Sequence, residues 1–169
     1  MNCVSEPGRR RLLAAALALP VMSLSNQAFA LDQHAYPVVE SVADFDGATW
    51  QQLLRSGPRP AAYVFTTTYC STCSAVFELL HTHLVATRRR TELAAVLMDV
   101  QGERALAHAR HYTGITRLYA FNGFEPEIRR AVDPKWRNIT PYVVLLDRHG
   151  REQRAIGAPD AGRLLAWLA

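Results

Sequence analysis

Charge is in short supply in this chain: only 20% of its 169 residues are Asp, Glu, Lys or Arg. The basic excess is also smaller than a pI of about 9.3 implies. Nineteen Lys and Arg against fifteen Asp and Glu give +4, but Arg9, Arg10 and Arg11 stand beside one acid, Glu6, and without those four the balance is 16 to 14, or +2. Such a residue of charge gives no reason to expect a nucleic-acid or anionic-lipid partner. No apolar run reaches the roughly 20 residues that span a bilayer. The run from Leu12 to Met22 is interrupted by Pro20 and followed by Ser23, so no membrane span is expected in the mature chain. No Cys follows that run at a lipoprotein position. Internal repeats and low-complexity segments are absent beyond it, and the length leaves no room for a second full domain.

What is present begins with three regions in a fixed order: a cationic start at Arg9 to Arg11, an Ala/Leu core, and the small-x-small triplet Ala28-Phe29-Ala30. That is the order of a cleavable export signal, which predicts cleavage near Ala30 and a periplasmic location. Gly8-Arg9-Arg10-Arg11-Leu12-Leu13 also fits a loose twin-arginine pattern, with the general secretory route expected over it. The expected division is a signal at residues 1–30, a leader at 31–45 that adds an edge strand, and one domain at 46–169.

Export removes Cys3 and leaves Cys70 and Cys73, both in one C-x-x-C. A disulfide across so short a loop stabilises little by restricting the unfolded chain. In an oxidising compartment the pair reads instead as a redox couple or half of a metal site.

Hydrophobic spacing predicts a short helix at 46–54, where Trp50, Leu53 and Leu54 recur before Gly57 and Pro58. Ala61 to Thr67 reads as a buried strand, and Ser71 to Arg88 as a long helix with Val76, Phe77, Leu80 and Leu84 on one stripe. Leu93 to Val100 reads as a strand, Gly102 to Tyr112 as a helix and Pro141 to Leu146 as a strand. His149-Gly150 is expected as a two-residue turn into a strand at Arg151 to Ile156, and a last helix carries Leu164, Leu165, Trp167 and Leu168. Strands alternating with helices first and a hairpin last imply an α/β fold with a mixed central sheet. Cys70 then stands after the first buried strand at a helix start, where unpaired N–H groups and the dipole favour a thiolate. Cys73, one helical turn on, is expected to reach it. A mixed disulfide on Cys70 is then resolved by Cys73.

The strand, Tyr69-Cys70-Ser71-Thr72-Cys73 at a helix start, and Ile139-Thr140-Pro141 before Tyr142-Val143-Val144-Leu145-Leu146-Asp147-Arg148-His149-Gly150 together resemble the thioredoxin fold over roughly residues 45–169. The ending is similar to that of the TlpA- and ResA-like thiol-disulfide oxidoreductases. That resemblance implies a cis Pro141 against the cysteine pair, Tyr69 as an aromatic shield where Trp is usual, and Thr140 beside the client. It also implies an insertion before the proline, around Ile115 to Asn138. No cofactor is implied; the partners are thiol- or disulfide-bearing clients and a membrane or periplasmic redox partner. Val64 replaces a buried acid of thioredoxins, so the resolving step needs another base or water. Glu125 and Glu127 are expected as solvated carboxylates. The alternatives are a Sco-like copper-binding metallochaperone, although that family spaces its cysteines C-x-x-x-C and none of the six histidines here forms an obvious partner motif, and a non-catalytic binding module on the same fold.

Overall fold

Long apolar stretches with no polar alternation need cover on both faces, and the two central strands are of that kind: β2 (Ala61–Thr66) is buried throughout and β3 (Glu92–Leu97) nearly so. The structure, a computed structural model, describes Met1 and residues 39–169. The expected signal and the leader as far as residue 38 lie outside the described residues. β1 (Ala43–Phe45) leads into α1 (Gly47–Ser56), and α2 (Cys73–Ala86) separates β2 from β3. Then follow α3 (Gly102–Ala109), β4 (Arg117–Phe121), α4 (Glu125–Val132), the hairpin β5 (Tyr142–Leu146) and β6 (Glu152–Ile156), and α5 (Ala161–Leu168). The six strands form one sheet in the order β1-β4-β3-β2-β5-β6. The first four run parallel, and β5 and β6 are antiparallel to their neighbours.

Local chemistry accounts for the element ends. The Asp46 carboxylate accepts the Thr49 N–H at 2.7 Å and starts α1. The Gly57 N–H closes the same helix on the Leu53 carbonyl at 2.9 Å, and a Cβ at Gly57 would stand 2.5 Å from that oxygen, so only glycine fits. Asp160 caps α5 through the Arg163 N–H at 2.9 Å.

Each face of the sheet has its own core. One is largely aliphatic: Ala62, Val64, Leu93, Ala95, Val143 and Leu145 meet residues of α2, α3 and α5. The other is aromatic, with Phe45, Trp50, Tyr63, Phe65, Trp136 and Tyr142 among its members. Phe65 lies at its centre, with ring centroids 5.5 Å from Phe45 and 5.1 Å from Trp136 in edge-on geometry.

The segment 115–138, expected as an insertion before the hairpin, holds β4, which lies between β1 and β3 in the parallel ladder, and α4. Two expectations need correcting. The turn at His149-Gly150 is longer than two residues, because β5 and β6 pair only as far as Leu146 and Glu152. Asp147 fills the gap by accepting the N–H groups of His149 and Arg151 at 2.8 and 3.0 Å, and Gly150 at φ 78° supplies the left-handed residue the turn requires. The long helix begins at Cys73 rather than Ser71, so Cys70 precedes it. The expected edge strand in the leader is β1, which pairs with β4.

Candidate active site

Between the end of β2 and the start of α2 the chain runs Thr67-Thr68-Tyr69-Cys70-Ser71-Thr72. The Cys70 N–H closes a turn on the Thr67 carbonyl at 3.2 Å, and the Cys73 N–H reaches the Cys70 carbonyl at 3.3 Å. Cys70 and Cys73 form a disulfide with an S–S distance of 1.94 Å. Cys73 is 0% exposed, packed in the aliphatic core as the first residue of α2. Cys70 is partly exposed. The pair is therefore closed across a turn rather than along one face of a helix. The order of exposure is the expected one, with Cys70 outside.

β5 runs antiparallel to β2 with Tyr142 opposite Phe65. Thr140 and Pro141 thus directly precede β5 at the sheet end where β2 runs out into the cysteine turn. The Thr140–Pro141 bond is cis, as is Arg59–Pro60. Pro141 has no N–H to donate, and its carbonyl accepts the Gly157 N–H at 2.8 Å. The fold is thioredoxin-like.

No protein-family model matches this chain, and no curated protein matches it. Similar solved structures include a secreted Mycobacterium tuberculosis disulfide oxidoreductase homologous to E. coli DsbE, at 17% identity over 64% of this chain and 81% of that one, TM-score 0.46. A putative thiol:disulfide interchange protein DsbE from Chlorobium tepidum is 18% identical over 66% of this chain and 81% of that one, TM-score 0.48. StoA from Bacillus subtilis is 15% identical over 64% and 81%, TM-score 0.44. At such identities the likeness is one of fold, and the chemistry has to be read from the residues of this thioredoxin-like chain.

The residues beneath the cysteines are apolar or neutral. Val64 is fully buried in the cluster that contains Cys73, so no carboxylate stands in its place. The Thr66 hydroxyl pairs with the Tyr112 hydroxyl at 3.1 Å, and the Tyr112 ring stacks on Phe77 at 4.3 Å. Burial pushes the Tyr112 phenol above its ordinary value, partly offset by the bond to Thr66. Tyr69, expected as an aromatic shield, is 78% exposed.

Sequence reasoning missed two sets of residues here. The Asp99 carboxylate takes the N–H and hydroxyl of Thr68; an Asp closing an apolar strand is the available signal, but the apolar pattern predicts a strand that runs on to Val100. The second set holds the segment before Pro141. Trp136 stacks on Tyr142 at 4.4 Å and donates its indole N–H to the Ile139 carbonyl at 3.0 Å. The Tyr142 hydroxyl donates to Asp133 at 2.5 Å. Burial alone would raise the Asp133 carboxyl, but the bonds from Tyr142 and the Lys135 N–H, with Arg154 nearby, hold it below its usual range.

His83 sets Nε2 3.2 Å from the Leu164 carbonyl, and His108 lies against His111 with ring centroids 5.0 Å apart. Glu125 pairs with Arg129 at 3.0 Å within α4. Among the described residues no group of three or more His, Cys, Asp or Glu is placed to hold a metal ion, and no helix is long and apolar enough to cross a membrane.

Proposed function

We propose that this protein is a thiol-disulfide oxidoreductase of the TlpA/ResA-like kind, exported to the periplasm after cleavage near Ala30, which exchanges disulfides with exported client proteins through Cys70 and Cys73. The observation that carries the reading is the unequal pair: a partly exposed Cys70 bonded to a buried Cys73 at the first turn of α2. In the reducing direction, the Cys70 thiolate attacks one sulfur of a client disulfide and expels the other as a thiolate. Cys73 then loses its proton and attacks the Cys70 sulfur, which releases the second client thiol and leaves the Cys70–Cys73 disulfide. Two electrons pass from the pair to the client. The oxidising direction is the reverse. The dipole at the N-terminal end of α2 favours the thiolate. With Val64 beneath the pair, water or a base from outside this core takes the Cys73 proton. Thr140 and Pro141 flank the client segment, and Tyr69, standing out of the surface, meets it rather than covering the sulfurs.

Trapping tests the assignment. Cys73→Ala is expected to accumulate mixed disulfides with client proteins and Cys70→Ala to accumulate few, read on non-reducing gels after acid quenching. Equal trapping by both variants overturns the division of roles, and no trapping by either overturns the exchange reaction.

A further inference from the structure

The parallel ladder between β2 and β3 ends with Thr66 beside Leu97, and the Met98 N–H donates to the Thr66 carbonyl at 3.0 Å. Two residues further on, the same register brings Asp99 alongside Thr68. There a side chain takes over from the backbone. The Asp99 carboxylate accepts the Thr68 N–H with both oxygens, at 3.0 and 3.1 Å, and the Thr68 hydroxyl at 2.5 Å. Hydrogen bonds to an ionised acceptor are roughly twice as strong as neutral ones. Thr68 sits inside the turn that the Cys70 N–H closes on Thr67. The clamp thus reaches across from the neighbouring strand to a point two residues before Cys70. The threonine on its buried side is engaged elsewhere, since Thr66 pairs with Tyr112.

We propose that Asp99 is a positioning residue for Cys70: by holding Thr68 it fixes the turn that sets Cys70 just before the N-terminal end of α2. This rests on the thiol-exchange reading above and names the group that sets the reactive geometry in it. No hydrogen bond joins Asp99 to either cysteine among the described residues, so it acts through Thr68. A role for its charge alone has the opposite sign, because a carboxylate near a thiolate disfavours it and its removal speeds the thiol's reactions. Asp99 is exposed, which weakens that effect by screening. The other charged and titratable groups near Asp99 are Arg104 on α3, Glu125 on α4, Tyr112, and His108 with His111 and Arg110 beside it. All of them are unchanged in a Thr68 variant.

The test is alkylation of Cys70 by iodoacetamide in the reduced full chain across a range of pH, with peptide mapping to separate Cys70 from Cys73. It is run in 0.5 M salt, where the screening length is about 4 Å. Thr68→Val keeps the carboxylate and the N–H contact but loses the hydroxyl; Asp99→Ala loses the whole clamp. Both are expected to move the midpoint of the pH–rate profile upward, by about one unit for Asp99→Ala, which reads as about tenfold slower alkylation below the midpoint. The double variant is expected to be no slower than Asp99→Ala alone, because the two residues form one unit. Thr68→Ser restores the hydroxyl and the wild-type profile. Thermal unfolding of the same proteins separates a shifted profile from a loosened fold, and if Asp99→Ala does not fold, Thr68→Val decides. An unchanged profile in Thr68→Val, or faster alkylation in Asp99→Ala, overturns the proposal. A wild-type disulfide that does not cycle in a glutathione buffer overturns the exchange reading itself; a wild type that cycles, with variants that match it, overturns only the role of Asp99.

Discussion

Thr66 and Tyr112 show how much a single pair of hydroxyls decides beneath the cysteines. The two hydroxyls pair with each other in a buried site, and the Thr66 hydroxyl also reaches the Thr67 carbonyl at 3.3 Å, so the Tyr112 hydroxyl is the one left unsatisfied when its partner is removed. Thr66→Val is expected to cost about 1–3 kcal/mol, and Tyr112→Phe less, with the double variant less destabilised than the sum. Urea denaturation of the four proteins checks this; strict additivity would show that the two hydroxyls do not depend on each other. The residues of the cysteine turn were legible in the sequence because C-x-x-C after an apolar, β-branched run leaves few readings. Thr66, Thr68 and Asp99 were not, because their roles come from partners 46 and 31 positions away, and only the sheet register brings those partners near.

Elements follow the same division. β2, β3 and α2 were legible because their apolar patterns are long enough to choose between periods of two and 3.6. β4 was not: Arg117-Leu118-Tyr119-Ala120-Phe121 is short and opens on a charge, and what makes it a strand is the partner that β3 offers on one side and β1 on the other. The β5–β6 turn was legible in place and wrong in length, since the decisive group is the Asp147 side chain. Burial acts to raise that carboxyl, but the Arg151 side chain and the backbone N–H groups of Arg151 and His149 outweigh it and hold it at about 2. A carboxyl whose folded value lies below its unfolded one stabilises the fold above the unfolded value, and that contribution is lost as pH falls toward 2. Thermal unfolding between pH 5 and pH 2 is therefore expected to fall less steeply for Asp147→Asn than for the wild type, with the variant already less stable at pH 5. Parallel acid limbs in the two proteins would show that this carboxylate is not what couples the hairpin to pH.

For the molecule as a whole, the two-faced sheet explains why the general architecture could be read from the chain while its closing contacts could not. Alternating strands and helices, with a hairpin last, imply a sheet covered on both sides, and nothing in that order says which helix covers which strand. α5 settles one such question: Leu164, Trp167 and Leu168 join the aliphatic core, and the Trp167 indole N–H donates to the Ala61 carbonyl at 3.0 Å. Trp167→Ala is expected to cost about 3–5 kcal/mol through the cavity and the orphaned carbonyl. Trp167→Phe is expected to cost less, because most of the ring volume stays. Denaturant midpoints at unchanged slope would bear this out, whereas a loss below about 1 kcal/mol for the alanine variant would mean that α5 is dispensable to the core.

The Trp167–Ala61 bond also sets an order in time. Ala61 opens the first core strand and Trp167 lies 106 positions later, so during synthesis β2 is made long before the group that covers its beginning exists. A nascent chain that has emerged only as far as residue 160 carries every strand of the sheet, yet its aliphatic face still lacks α5. Until that helix follows, the apolar side chains that Leu164, Trp167 and Leu168 would cover stay open to water.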